Sequence, residues 1–190
     1  MRVVHNHNPV EHFVVCVIGE PGSREFFIRI ISTFEETIIS LEKEQVIALV
    51  ERLEEMLREL RRRKIFPSTP SLMLSEKPRS EIEGLSFPVE ENFRAGLMGI
   101  SWLSEEERIS IEIQEYSSDP DYSELIPIGE EVADEYAPEI AGATLTLEQV
   151  KRFNFEAMEI VNSGRQPCPF CGLPIDPNGH LCPRSNGYKR

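Results

Sequence analysis

Several features are scarce in this sequence, and each scarcity excludes something. No apolar run approaches the ~18 residues that would cross a bilayer, so no membrane-spanning helix is expected. The start, Met1-Arg2-Val3-Val4-His5-Asn6-His7, lacks the long apolar stretch of a secretory leader, and the expected compartment is the cytoplasm. Cationic residues are few: 20 Lys and Arg stand against 33 Asp and Glu, a formal net charge of −13. Nucleic-acid phosphates gain from positive charge, so a nucleic-acid partner is disfavoured for the chain as a whole. Only four of the 190 residues are cysteine, too few for a disulfide-stapled scaffold, and three of them crowd together near the end. Trp102 is the single tryptophan.

What is present is a folding chain. Hydrophobic residues make up 40% of the composition, enough for one domain of ordinary size and a small appendage. The pattern predicts an α+β body over 1–164 and a tail over 165–190. Two similar halves, 1–64 and 93–164, flank a Pro- and Ser-rich linker at 65–92.

In the first half, strands are expected over His12–Ile18, Arg24–Ile31 and Glu36–Leu41. The turn signal Gly19-Glu20-Pro21-Gly22 separates the first two. A helix follows from about Glu42 to Lys64, with Val46, Leu49, Val50, Leu53, Leu57 and Leu60 at spacings of three and four. In the second half, Phe93–Leu103 and Arg108–Tyr116 read as a hairpin around Ser104–Glu107. Ile109, Ile111 and Ile113 take one face of its second strand. An acidic insert spans 117–139, and Ala143–Leu145 is a short strand. Thr146 and Gln149 form a capping-box pattern ahead of a helix with an apolar stripe at Val150, Phe153, Ala157 and Val161, which Gly164 is placed to end. Leu41–Val46 overlays Leu145–Val150 at a shift of 104 residues. The expectation is an antiparallel sheet with two helices on one face, in a tandem strand-strand-strand-helix arrangement.

The tail carries the strongest motif. Cys168-x2-Cys171-x8-His180-x-Cys182 places three thiols and an imidazole at the spacing of a zinc-ribbon-like site. Asp176-Pro177-Asn178-Gly179 is read as the turn that folds the second arm onto the first. Four protein ligands close a coordination sphere, so one structural zinc ion per chain is expected rather than a catalytic one. A thioredoxin-like redox pair at Cys168 and Cys171 is the alternative. From Ser163 onward, Arg165, Arg184, Lys189 and Arg190 face one acid, Asp176, so a basic tail follows an acidic body.

Elsewhere the residues speak less clearly. His5, His7 and His12 near the start read as solvent-exposed, with metal binding the minor alternative. Cys16 reads as a small buried hydrophobe and Trp102 as core. The Gly19–Arg24 turn reads as a plain hairpin, with anion binding the alternative. Asp119, Asp121, Glu130, Glu131, Asp134 and Glu135 read as a solvated loop rather than a divalent-cation site. No catalytic set declares itself.

Certain residues carry a resemblance: Phe13, Gly19–Phe27, Leu41-Glu42-Lys43, Phe93-Arg94-Ala95-Gly96, and the tail from Cys168 through Gly179–Arg184 to Asn186-Gly187-Tyr188. The chain resembles an uncharacterised, mainly actinobacterial family, domain of unknown function 3090. The resemblance covers nearly the whole chain and implies an integral zinc-type tail, without implying an activity.

Three functions stay open. The first is a binding or adaptor module with a protein partner. The second is an enzyme acting on a phosphorylated or other anionic small molecule, with Arg24, Arg94 and Arg184 as anion contacts. The third is a nucleic-acid-binding zinc ribbon.

Overall fold

A computed structural model describes residues 2–20, 22–65, 85, 88–134, 136–164, 167–173, 175 and 179–184. Most of the 65–92 linker lies outside the described residues. So do Pro21, Glu135, Asp176–Asn178, Arg165, Asn186–Tyr188, Lys189 and Arg190.

Seven strands and two α-helices make the body: β1 Val4–His7, β2 His12–Ile18, β3 Glu25–Ile31, β4 Glu36–Leu41, α1 Lys43–Arg62, β5 Phe93–Leu103, β6 Arg108–Glu115, β7 Ile140–Thr146 and α2 Leu147–Asn162. The strand order is β1-β7-β6-β5-β4-β3-β2. The fold is α+β, as expected, but the sheet is mixed. β4 pairs with β5 in parallel, and β1 pairs with β7 in parallel. The reason is topological. Between β4 and β5 the helix α1 acts as a crossover that lets the next strand start in the same direction, whereas β1 and β7 are the first and last strands of the chain and meet in parallel only through the fold.

Apart from the extra strand β1, the two halves repeat the order strand, strand, strand, helix. Leu41 and Leu145 are buried strand ends, and Val46 and Val150 are fully buried in the first helical turns. Leu49 matches Phe153, Leu53 matches Ala157 and Leu57 matches Val161, all buried. Gln45 accepts the backbone N–H of Glu42, and Gln149 accepts that of Thr146, so both helices start with the same side-chain loop. The two glutamines also donate across the halves. Gln45 Nε2 reaches the Ala95 carbonyl at the start of β5, and Gln149 Nε2 reaches the Val10 carbonyl just before β2.

The sheet cannot be flat. β1 and β2 lie at opposite ends of the strand order, yet only Asn8 to Glu11 join them. Seven flat strands would hold the outer two about 29 Å apart, while so short a connection spans at most about 18 Å. The sheet therefore coils, and α2 packs against both β2 and β7. The β4–β5 joint is thin, pairing only Ile39 with Phe93 and Ser40 with Arg94. Asn92 reinforces it, since its N–H and side-chain oxygen both bond the backbone of Ile38.

The helices end differently. Lys64 takes φ 55° after α1, and Ile65 N–H returns to the Leu60 carbonyl, as in a Schellman motif. α2 ends at Ser163, whose N–H bonds the Glu159 carbonyl. Gly164 has no left-handed φ, so it is not the residue that turns the chain.

The acidic insert is more than a solvated loop. Its segment Leu125–Ile128 covers the second face of the sheet, with Leu125 over Gly99 and Ile128 over Gly142. Arg2 and Gln114 pin it from beneath: Arg2 donates to the Ile126 and Pro138 carbonyls and to Gln114 Oε1, which also accepts Ile126 N–H. β7 is consequently buried on both faces, which explains why its signal in the sequence is a short apolar run rather than an alternation.

Candidate metal centre

The tail folds locally around its cysteines. Cys168 N–H donates to the Leu173 carbonyl, and Gly172 N–H donates to the Cys168 carbonyl. These two bonds close the Cys168–Leu173 loop. Gly172 takes φ 76°, a conformation that costs any residue with a Cβ, and Gly179 takes φ 77° just before the second arm. Arg184 Nη1 donates to the Phe170 carbonyl and ties the second arm to the first.

The result gathers all four expected ligands. One ligand atom from each of Cys168, Cys171, His180 and Cys182 lies within 4.8 Å of every other. The Cys168 and Cys182 sulfurs are 3.8 Å apart, and Cys171 Sγ is 3.2 Å from His180 Nε2. A tetrahedral site with metal–sulfur bonds of about 2.3 Å has edges of about 3.8 Å, so the donor set fits an ion at its centre. No disulfide is present, and all three cysteines are free thiols. Burial, reinforced by the Cys168 and Cys182 side chains, raises the Cys171 thiol above its ordinary value. A bound cation would reverse that balance by favouring thiolates. His180 Nδ1 is buried and has no hydrogen-bond partner among the described residues.

A family model matches residues 5–182 of the chain. The chain belongs to the DUF3090 family. The description of that family is a protein of unknown function, and its match runs from β1 to the last of the four ligands. No curated protein and no solved structure matches the DUF3090 chain.

The remaining candidates sort themselves by position. Arg24 and Arg94 line one cleft of about 390 Å³ beside Lys43. That cleft brings together parts of three motifs from the sequence: the Gly19–Phe27 stretch, Leu41-Glu42-Lys43 and the start of β5. Its three cations meet three carboxylates, Glu25, Glu42 and Glu91. Arg94 is already paired with Glu42 at 2.5 Å, and Arg24 donates to Ser163 Oγ at the end of α2. Arg184 belongs to the tail, where it serves the Phe170 carbonyl.

The acidic insert holds no metal cluster among its described residues. Asp119 caps the short 3₁₀ helix Pro120–Tyr122, and Asp134 accepts the Tyr122 hydroxyl.

One expectation fails here and another holds only in part. His5 and His7 are not idle terminal residues. His5 is bonded to Glu35 at 2.5 Å and to Glu139 at 3.1 Å, and its ring stacks on Phe93. His7 is fully buried between the Ser32 and Thr37 hydroxyls. Only His12 is exposed. The strand that carries them, β1, is short and half polar, so only its pairing with β7 reveals it. Trp102 packs against the hydrophobic core but is not fully buried in it. It is part-buried on the rim between α1 and β5, and its Nε1 finds no partner among the described residues. Cys16 is half-buried on β2. Burial raises its thiol, with Arg29 opposing and Glu36 assisting, so it behaves as an unreactive hydrophobe.

Among the described residues, no helix is long and apolar enough to cross a membrane.

Proposed function

We propose that the protein is a binding or adaptor module in which one structural zinc ion orders the C-terminal tail as a rigid docking piece. The observation that carries this reading is the closed Cys3His set: four protein donors within 4.8 Å leave no position for a water or substrate. Three thiols and one imidazole are the donors zinc takes in structural sites, and a tail of this length cannot build a core of its own. The partner is expected to be a protein and the compartment the cytoplasm. The test has two arms. Elemental analysis of the purified chain should return one zinc per chain, lost in Cys171→Ser. A pull-down from a related bacterium should recover a reproducible protein partner with the native chain. Metal-free, readily oxidised thiols would favour the redox pair instead, and a pull-down with no reproducible partner would remove the adaptor reading.

One observation favours a second reading, an enzyme acting on a phosphorylated or anionic small molecule: Arg24 and Arg94 do line one cleft. Equal numbers of acids and bases around it weaken the reading, because a cleft of zero net charge does not concentrate anions. Titration with inorganic phosphate that leaves the Arg24 and Arg94 side-chain resonances unmoved would eliminate it. The nucleic-acid reading draws little support, since a chain of formal net charge −13 gains little from phosphates.

A further inference from the structure

Among the described residues, β5 is open along most of one edge. It runs for 11 residues, and β6 accompanies it from Ala95 to Leu103. On its other side β4 stops after pairing with Phe93 and Arg94, and no described strand borders β5 beyond that point. In an antiparallel ladder every second residue turns its N–H and C=O away from the partner strand. Such groups need partners wherever water is kept out, and a bare edge is a template for another strand. At the near end, Gln45 Nε2 meets the Ala95 and Gly96 carbonyls. Beyond them α1 stands off from β5 and leaves a groove of about 720 Å³, walled by Leu49, Met56 and Leu60 on the helix and by Met98, Ile100 and Trp102 on the strand. The matching joint of the other half is filled. Counted from the carbonyl that each glutamine holds, Phe13 and Val15 of β2 correspond to Met98 and Ile100 of β5. Phe13 and Val15 are buried, and the Phe13 and Phe153 rings lie 4.8 Å apart. Leu49 stands where Phe153 does, and Met98, Ile100 and Trp102 are only partly buried.

The route of the chain names an occupant. α1 and β5 start together at Gln45 and line the groove to its far end, where Ile65 and Trp102 stand. The chain must then come back to Asn92, which bonds Ile38 just before β5 begins. The return follows the length of the 20-residue α1, about 30 Å. About nine extended residues cover that distance. Residues 66–91 lie between, and they hold one run of three large apolar residues, Leu72-Met73-Leu74, bracketed by Pro70 and Pro78. The charges on the groove's rim are already paired, Arg52 with Glu55 and Arg63 with Glu59, so the groove suits an uncharged occupant. Residues 71–75, Ser-Leu-Met-Leu-Ser, carry no charge. A chain returning along β5 runs antiparallel to it, the more stable sense of strand pairing.

We propose that the groove between α1 and β5 docks residues 71–75 of the chain itself as an added strand, antiparallel to the open edge of β5, with Leu72 and Leu74 against Met56, Met98 and Ile100. The added strand gives the outward peptide groups of β5 their partners. Its leucines supply the apolar volume that Phe13 and Phe153 supply at the other joint. The docking depends on neither the metal ion nor a partner protein, so it stands or falls apart from the adaptor reading.

The test uses the full chain. Methyl NOEs should join Leu72 or Leu74 to Met98 or Ile100. The single tryptophan, Trp102, reports the same docking by its fluorescence. The double variant Leu72→Ser, Leu74→Ser should weaken docking about tenfold or more, because two leucine side chains lose their burial. Acrylamide should then quench Trp102 more strongly, and the outward amides of residues 97–103 should exchange faster by the same factor as docking weakens. The amides that β5 shares with β6 should keep their protection, which shows that the body is still folded. Leu72→Met, Leu74→Met should behave as the native chain does. Absence of the NOEs overturns the proposal. So do quenching and edge exchange that are the same in the serine variant and the native chain. Outward amides that exchange freely in the native chain would leave the edge to a partner's strand, and NOEs seen only between differently labelled chains would make a second copy the occupant. Either result also overturns the proposal. If the serine variant loses its β6-facing protection as well, the NOEs of the native chain decide alone.

Discussion

The body and the tail hold their shapes by different means. In the body, both helices and all seven strands contribute to one hydrophobic cluster or to the hydrogen-bonded edge beside it, with Ile28, Ile30, Ile39, Leu53, Ile109 and Ile113 fully out of solvent. In the described tail, the buried side chains are Cys168 and Cys182, two members of the ligand set itself. Phe170, Leu173 and Leu181 are exposed. Apolar burial stabilises a fold in proportion to area, and the described tail, with almost none of it, has instead a donor set that could hold a metal ion. With the proposed ion in place, the difference predicts which region responds to chelation and which to cavities.

The largest effect should come from the tail. Chelation, or Cys171→Ser, should remove a folding contribution of about 10 kcal/mol or more from that segment. Proteolysis should then cut the tail while circular dichroism of the body hardly changes. A tail that stays protected without metal would break the comparison. The body answers next. Leu53→Ala opens a cavity beneath α1 and should cost about 3 kcal/mol, read as a lower denaturation midpoint with zinc content unchanged. Loss of zinc from that variant would show that the two regions fold as one.

A smaller effect depends on pH. Burial disfavours the charged form of His5, but the hydrogen bonds and charges of Glu35 and Glu139 outweigh it, and the net shift is upward. A raised folded-state value means that this stabilisation is complete below the unfolded value of about 6.5 and is lost as pH rises through the folded one. Burial, with the His5 charge acting in the same sense and Glu35 against it, lowers His7, so His7 contributes in the opposite direction, losing stability as pH falls. Melting the native chain and His5→Gln across about pH 6 to 9 should show a gap that narrows as pH rises. A gap independent of pH would mean that His5 acts through packing on Phe93 and not through charge. The smallest effect is the cap of α2. Thr146→Ala should cost about 1 kcal/mol in the same melting experiment. A much larger loss would mean that Gln149 also loses its bond to Val10, which joins the two halves.

Legibility followed the range of the forces involved. The bounds of β2, β4 and β5, the stripe on α1 and the cap at Thr146 come from periodicity and from bonds between residues three or four apart. The four tail ligands lie within 15 residues of one another and share one ion-sized space, so spacing alone could name them. β1 escaped, because Val4-His5-Asn6-His7 has no apolar rhythm and gains its place from pairing with residues 140–143. Leu125 and Ile128 escaped among the acids of their loop because the glycines they cover lie in distant strands.

The sequence by itself determined most local units: both helices and every strand but β1, where each helix starts, and which four side chains can enclose an ion. Those follow from side-chain periodicity, backbone conformational preference and donor chemistry, all of which act between near neighbours. Only the tertiary structure decided that β4 and β5 run parallel, that four residues between β1 and β2 coil the sheet, that two histidines are locked in bonds, and that no described strand borders β5 beyond Arg94 on its β4 side. Each of these depends on which distant segments meet, and packing in three dimensions settles that.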